Sequence, residues 1–190
     1  MVIYDISRVM QEAPVYPGSP EMVFEPIASM ANGDVYNQTR ITVDSHAGTH
    51  ADAFSHFFES GKNIDEMPLD HYCGRCRLIT FIDEMISLND LRGKLEGCER
   101  LVMCGGAFLS EEAAEYIAMC HIKLVVTDAI SVGPQSNERA IHQILMEHNC
   151  AIIENAVLVG MKDGDYLIIA PPIKYAGCDG GPVRAIMISE

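Results

Sequence analysis

A chain of 190 residues, 48% of them hydrophobic, is long enough to bury one sizeable core, and no composition break divides it, so a single domain over residues 1–190 is expected. Its formal net charge of −14 repels phosphate backbones and anionic membrane surfaces, which argues against nucleic acid and lipid headgroups as partners while leaving cations welcome. The opening lacks a basic segment followed by a long apolar one, and no apolar run reaches bilayer length, so a cytoplasmic location is expected.

The first half reads as strands and loops. VIYDI, MVFEPI and YNQTRITVDS alternate or carry β-branched residues, and the turn-rich pieces YPGSPE and MANGD separate them. Cys73 and Cys76 form a CxxC, but RCRLITFID continues as a strand rather than opening a helix, and a zinc site needs two more ligands. The pair is expected to be ordinary buried thiols, and an odd total of seven cysteines agrees with a reduced protein. Ser87, with Asp90 three positions on, is expected to start a short helical turn.

ERLVMC, IKLVVTD and CAIIEN are continuous apolar runs, the pattern of strands buried on both faces, and they alternate with two helices. One helix is N-capped by Ser110, carries Glu111 and Glu112 in its first turn, and runs to about Cys120. The other starts after Asn137 and places Ile141, Ile144 and Leu145 at helical spacing. DGDYLIIAPP and PVRAIMIS close the chain as strands. The pattern predicts an α/β fold with a mixed, partly parallel sheet. The absence of a GxGxxG or P-loop sequence removes the usual signature of nucleotide chemistry.

The run DSHAGTHADAFSH places His46, His50, Asp52 and His56 around Gly48 and Thr49. An extended segment would project His46, His50 and Asp52 from one side, with Gly48 leaving room for an ion, whereas a helix would turn Asp52 away, so an extended or turning path serves a metal better. Two imidazoles and a carboxylate suit zinc, manganese or ferrous iron and are too soft a set for dedicated calcium binding. Any one of these histidines alone would be an ordinary surface or core residue; their repeated spacing favours a metal site. Glu154 ends a buried strand, where α/β sheets gather functional groups. Asp128 is expected to cap a turn rather than orient a histidine. His71, His121 and His148 read as ordinary residues, Lys174 and Arg184 as fold contacts or anion contacts, and the glycines of GCDGGP as turn formers.

HAGTHADAFSH resembles the HxGTHxDxPxH signature of the metal-dependent cyclase superfamily, which includes bacterial kynurenine formamidases (arylformamidases) and isatin hydrolases. YDISRVMQEAPVYPGSP, GKNIDEMPLDHYCG, HQILMEHNCAIIEN and APPIKYAGCDGGPVRA also resemble that family, so the likeness spans nearly the whole chain. It implies the swivelling β/β/α architecture, a homodimer or homotetramer, and one or two divalent ions per chain, zinc first and manganese second. Carried over by position, it makes His46 and His50 ligands of one ion and Asp52 a ligand that can bridge to a second. His142 would bind the second ion and Glu154 would bridge or complete the site, with His56 as proton donor and acceptor. Two positions depart from the family: Phe54 replaces a proline and Tyr16 replaces a tryptophan, and both are expected at the substrate pocket. The implied activity is hydrolysis of a small amide, formamide or cyclic amide. A lyase or cyclase reaction by proton transfer, and a non-catalytic metal or small-ligand binding module, are the other readings. His56 beside a full ligand set favours catalysis, since a binder needs no extra acid–base group.

Overall fold

In the computed structural model, which describes residues 1–189, the buried apolar runs of the second half form the middle of a nine-stranded sheet. In chain order the strands are β1 (Val2–Asp5), β2 (Val23–Ala28), β3 (Gln38–Thr42), β4 (His50–Asp52), β5 (Cys73–Thr80), β6 (Met85–Ile86), β7 (Arg100–Cys104), β8 (Phe108–Leu109), β9 (Leu124–Thr127), β10 (Ala151–Glu154), β11 (Gly164–Ile169), β12 (Gly180–Pro182) and β13 (Ile186–Ser189). The helices are α1 (Leu69–Tyr72), α2 (Leu88–Leu91), α3 (Glu111–Met119) and α4 (Glu138–Glu147). The large sheet runs β1-β13-β11-β5-β7-β9-β10-β4-β12, beside a β2–β3 hairpin and a short β6–β8 pair.

Strands β5, β7, β9 and β10 are parallel, and antiparallel strands flank them on both sides. Every residue of β9 and β10 is buried, which is why their sequences are unbroken apolar runs rather than alternations. Parallel neighbours need long crossovers, and α3 and α4 supply them before β9 and β10 and pack on each other. Ser110 Oγ accepts a hydrogen bond from Ala113 N at 3.2 Å, so the expected cap of α3 is formed. Asn137 precedes α4 without capping it; its side chain instead donates to Glu111 Oε1 at 2.7 Å. Ser87 and Asp90 make a reciprocal capping box, with Ser87 N donating to Asp90 Oδ2 at 2.8 Å.

Several local expectations resolve in physical terms. Cys73 and Cys76 both lie on β5, three residues apart, so they point to opposite faces and cannot act as a pair. Burial pushes the Cys76 thiol up to about 12, whereas Cys73 is only half-buried. Asp128 accepts from Gly105 N at 3.0 Å and Gly106 N at 2.8 Å, capping the turn after β7. Arg184 forks onto Asp5, donating to Oδ1 at 3.0 Å and to Oδ2 at 2.6 Å, and so ties the edge strand β1 to the segment that leads into its neighbour β13. Among the described residues, no helix is long and apolar enough to cross a membrane.

The extended reading of HAGTHAD holds only from His50 onward. Residues 45–49 form turns, and Gly48 has φ 65°, the left-handed region that L side chains avoid. A Cβ there would also sit 2.7 Å from Met10 Sδ. Gly48 is thus required by the turn that brings His46 back over the strand, not by room for an ion. Gly48→Ala is expected to cost about 1–2 kcal/mol of stability in a denaturant melt. An unchanged unfolding midpoint would contradict this reading.

Candidate metal centre

β10 ends at Glu154, and antiparallel β4 begins beside it at His50, so the register pairs Glu154 with His50 and Ile152 with Asp52. His50 and Asp52, two residues apart on a strand, share a face, and the cross-strand neighbour Glu154 joins them. Thr49 pins the turn leading into β4: its hydroxyl donates to Asn155 O at 2.8 Å and accepts from Arg8 N at 2.9 Å. α4 packs Ile141 and Leu145 into the core and buries His142 above the same strand ends.

The site is compact, and backbone carbonyls orient the rings of His50 and His142. His50 Nδ1 donates to Gly48 O at 3.0 Å, leaving Nε2 to face Asp52 Oδ1 at 3.4 Å and Glu154 Oε2 at 3.6 Å. His142 Nδ1 donates to Glu138 O at 2.8 Å, leaving Nε2 3.3 Å from Asp52 Oδ2 and 3.2 Å from Glu154 Oε1. His46 Nδ1 lies 2.9 Å from Asp52 Oδ1. One ligand atom from each of His46, His50 and Asp52 lies within 4.8 Å of the others, and the same holds for Asp52, His142 and Glu154. Asp52 belongs to both groups.

Charge follows from this geometry. Burial alone would raise the Asp52 carboxyl, but the His142, His46 and His50 rings around it hold it well below the usual carboxylate range. Burial likewise opposes charge on the histidines, yet Asp52 and Glu154 raise His142 well above its ordinary value, and Asp52 with Asp179 raises His46 to about 9. Burial instead lowers His56. The carboxylates therefore demand positive charge, which protons or a divalent cation can supply.

The donor set fits such a cation. Asp52 Oδ2 is buried without a hydrogen-bond partner, although His142 Nε2 is close, and an unpaired buried carboxylate oxygen is costly. Imidazoles that donate Nδ1–H to backbone carbonyls present their free nitrogens inward, the arrangement that metal-ligating histidines adopt.

A cavity of about 170 Å³ opens over the cluster, lined by His46, His50, His56, His142, Glu154 and Tyr16 among others. Tyr16 donates to Glu138 Oε2 at 2.6 Å, and this bond, with burial, pushes its phenol up to about 12. Phe54 faces the hydrophobic core instead, and the phenylalanine at the cavity wall, beside Tyr16, is Phe57, its ring 4.6 Å from the His142 ring. His56 sits half-buried on the turn Phe54–His56, its ring 4.1 Å from that of His46.

Two residues at the site had no sequence pattern to announce them. Glu138, in the first turn of α4, looks like an ordinary acid favoured by the helix dipole. Asp179 reaches the cluster from the segment before β12, with Oδ2 3.1 Å from His46 Nε2. Burial would raise its carboxyl, but the Ser45 hydroxyl and His46 hold it at about 2. The available signal was the GG that follows it: a Cβ on Gly180 would sit 2.8 Å from His46 Cε1, so this glycine marks a close approach rather than a turn.

Residues 4–134 match the family described as Putative cyclase. The chain belongs to the cyclase family. It is 32% identical over 201 residues to a kynurenine formamidase of Erythrobacter litoralis, covering 97% of this chain and 93% of the relative. A solved structure described as a "potential metal-dependent hydrolase with cyclase activity" superposes with TM-score 0.87 at 26% identity, covering 100% of this chain and 98% of the other. Isatin hydrolase A from Labrenzia aggregata superposes with TM-score 0.86 at 17% identity, over 100% of this chain and 94% of that one, a likeness of fold. This cyclase-family chain therefore shares the architecture that its sequence predicts.

Proposed function

We propose that this hydrolase of non-peptide carbon–nitrogen bonds cleaves a small N-formyl arylamine or related aryl or cyclic amide, with a divalent ion as cofactor and His56 as general acid and base. The observation that carries the reading is the junction of two three-residue ligand groups at Asp52, beneath a cavity that His56 also lines. The kynurenine formamidase relative supports the formamide class. His46, His50 and Asp52 would hold one ion, and Asp52, His142 and Glu154 a second; zinc and manganese both suit these donors. When bound, such an ion supplies Lewis acidity and lowers the pKa of a coordinated water to about 7.

The chain's own groups do the rest. In the net reaction, water oxygen bonds to the carbonyl carbon, the C–N bond breaks, and the nitrogen leaves with a proton. An amine is a poor leaving group unless protonated, and His56, kept below its ordinary pKa by burial, can take a proton and return it at neutral pH. Pro14, Tyr16, Phe57 and Ile130 offer apolar wall for an aryl ring. Among the described residues lining the cavity there is no lysine or arginine, which favours a neutral aryl group over an anionic one. The same reading includes a homodimer or homotetramer in the cytoplasm. The free cysteines support the reducing compartment, and the exposed Val35, Tyr36 and Ile41 of the β2–β3 region offer apolar surface for self-association.

The test is a panel of formanilide, N-formylkynurenine, isatin and acetanilide with zinc- or manganese-loaded protein, following amine and acid release. Formanilide turnover well above that of acetanilide is expected. No carboxylic acid from any member, with either metal, would reject the proposal.

A further inference from the structure

We propose that Asp179 is the positioning residue that fixes His56 for proton transfer, using the same carboxylate oxygen that orients His46. The inference rests on the hydrolase reading above, but its evidence is separate. Asp179 Oδ2 lies 3.4 Å from His56 Nδ1 and 3.1 Å from His46 Nε2, so it can accept an N–H from each ring. Ser45 Oγ donates to the other oxygen, Oδ1, at 2.8 Å, which fixes the carboxylate plane. The Asp179 backbone carbonyl accepts from Ala53 N at 2.9 Å, tying it to the residue that begins the His56 turn.

The tautomers follow from this arrangement. A carboxylate offers only acceptors, so His56 carries its proton on Nδ1 toward Asp179 and turns Nε2 to the cavity it lines. His46 in turn directs Nε2–H to Asp179 and holds Nδ1 2.9 Å from Asp52 Oδ1, the nitrogen that would be free for an ion when one is bound. The tight packing of the two rings, with centroids 4.1 Å apart, lets one carboxylate serve both. Gly180 admits the approach, since any side chain there would strike the His46 ring. His46, His56 and Asp179 also present ligand atoms within 4.8 Å of one another, so direct ligation of an ion by Asp179 is the competing arrangement.

The experiment compares zinc-loaded wild type with Asp179→Ala, or with the isosteric Asp179→Asn if the alanine variant does not fold. Zinc content is expected to stay at the wild-type stoichiometry; loss of an ion would make Asp179 a ligand and overturn the proposal. Nitrogen-15 spectra of the histidine rings are expected to show His56 protonated at Nδ1 in wild type and mixed tautomers in the variant; unchanged tautomers would also overturn it.

Formanilide turnover is expected to fall about 10- to 100-fold in kcat, with KM little changed. p-Nitrophenyl formate, whose leaving group departs without a proton, is expected to lose less than about threefold. An equal fall on both substrates with the His56 tautomer unchanged would show that Asp179 serves structure alone. If wild type cleaves neither compound, the hydrolase reading fails, and the ring spectra still decide what Asp179 positions.

Discussion

Asp52→Asn is expected to leave the protein folded but without bound metal, and with formamide turnover at background. Asparagine keeps the volume of a side chain that is 1% exposed, so the change is almost purely one of charge. It removes the ligand common to both groups, and it places an amide among His46, His50 and His142, each of which lies within 3.4 Å of a carboxylate oxygen of Asp52. Lewis-acid assistance contributes several kcal/mol to such reactions, so a loss of about 4 kcal/mol, roughly 10³-fold in kcat/KM, is the smallest effect consistent with the account. The metal-free fold should suffer as well, because breaking a buried ion pair on one side costs about 3–5 kcal/mol. Elemental analysis, steady-state kinetics and a denaturant melt check the three parts. A variant with wild-type metal content would remove Asp52 from the centre of the site.

His56→Ala separates chemistry from binding. His56 is half-buried, shares the cavity with the ligand cluster, and belongs to neither of the groups joined at Asp52. Its removal is expected to lower kcat on formanilide by about 10²- to 10⁴-fold, the range for loss of a general acid–base group, while metal content and KM stay near wild type. Loss of metal would instead make His56 a ligand, grouped with His46 and Asp179. Wild-type turnover would assign the proton transfer to another group.

The parts of the fold that burial dictates were legible in the sequence. The runs at β7, β9 and β10 are apolar because both faces are covered, and the caps at Ser110 and Ser87 are local chemistry that a few adjacent residues specify. The strand β12 escaped notice because Gly180, Gly181 and Pro182 carry no strand propensity; β12 exists through its pairing with β4. Three-residue turns such as Ile64–Glu66 and the short helix α1 were equally silent, being too short to show a period.

Legibility at the site divides along the same line. His46, His50, Asp52 and His56 lie on one short stretch whose spacing is itself a signal, whereas His142 and Glu154 were placed by resemblance, and the structure brings both to Asp52. Asp179 and Glu138 act through contacts spanning more than a hundred positions, Asp179 with His46 and Glu138 with Tyr16, and no local pattern encodes them. Phe54 illustrates the converse error. Its place in the signature suggested the pocket, but the turn Phe54–His56 directs its ring into the core while His56 faces the cavity.

The most direct test of the central claim is formanilide hydrolysis by one protein sample before chelation, after removal of metal, and after readdition of zinc or manganese, with metal content measured at each stage. Activity that disappears with the metal and returns as about one to two ions per chain are restored is the predicted result. Undiminished hydrolysis by demonstrably metal-free protein would contradict it, and the cluster around Asp52 would then have to be a buried charge network rather than a cofactor site.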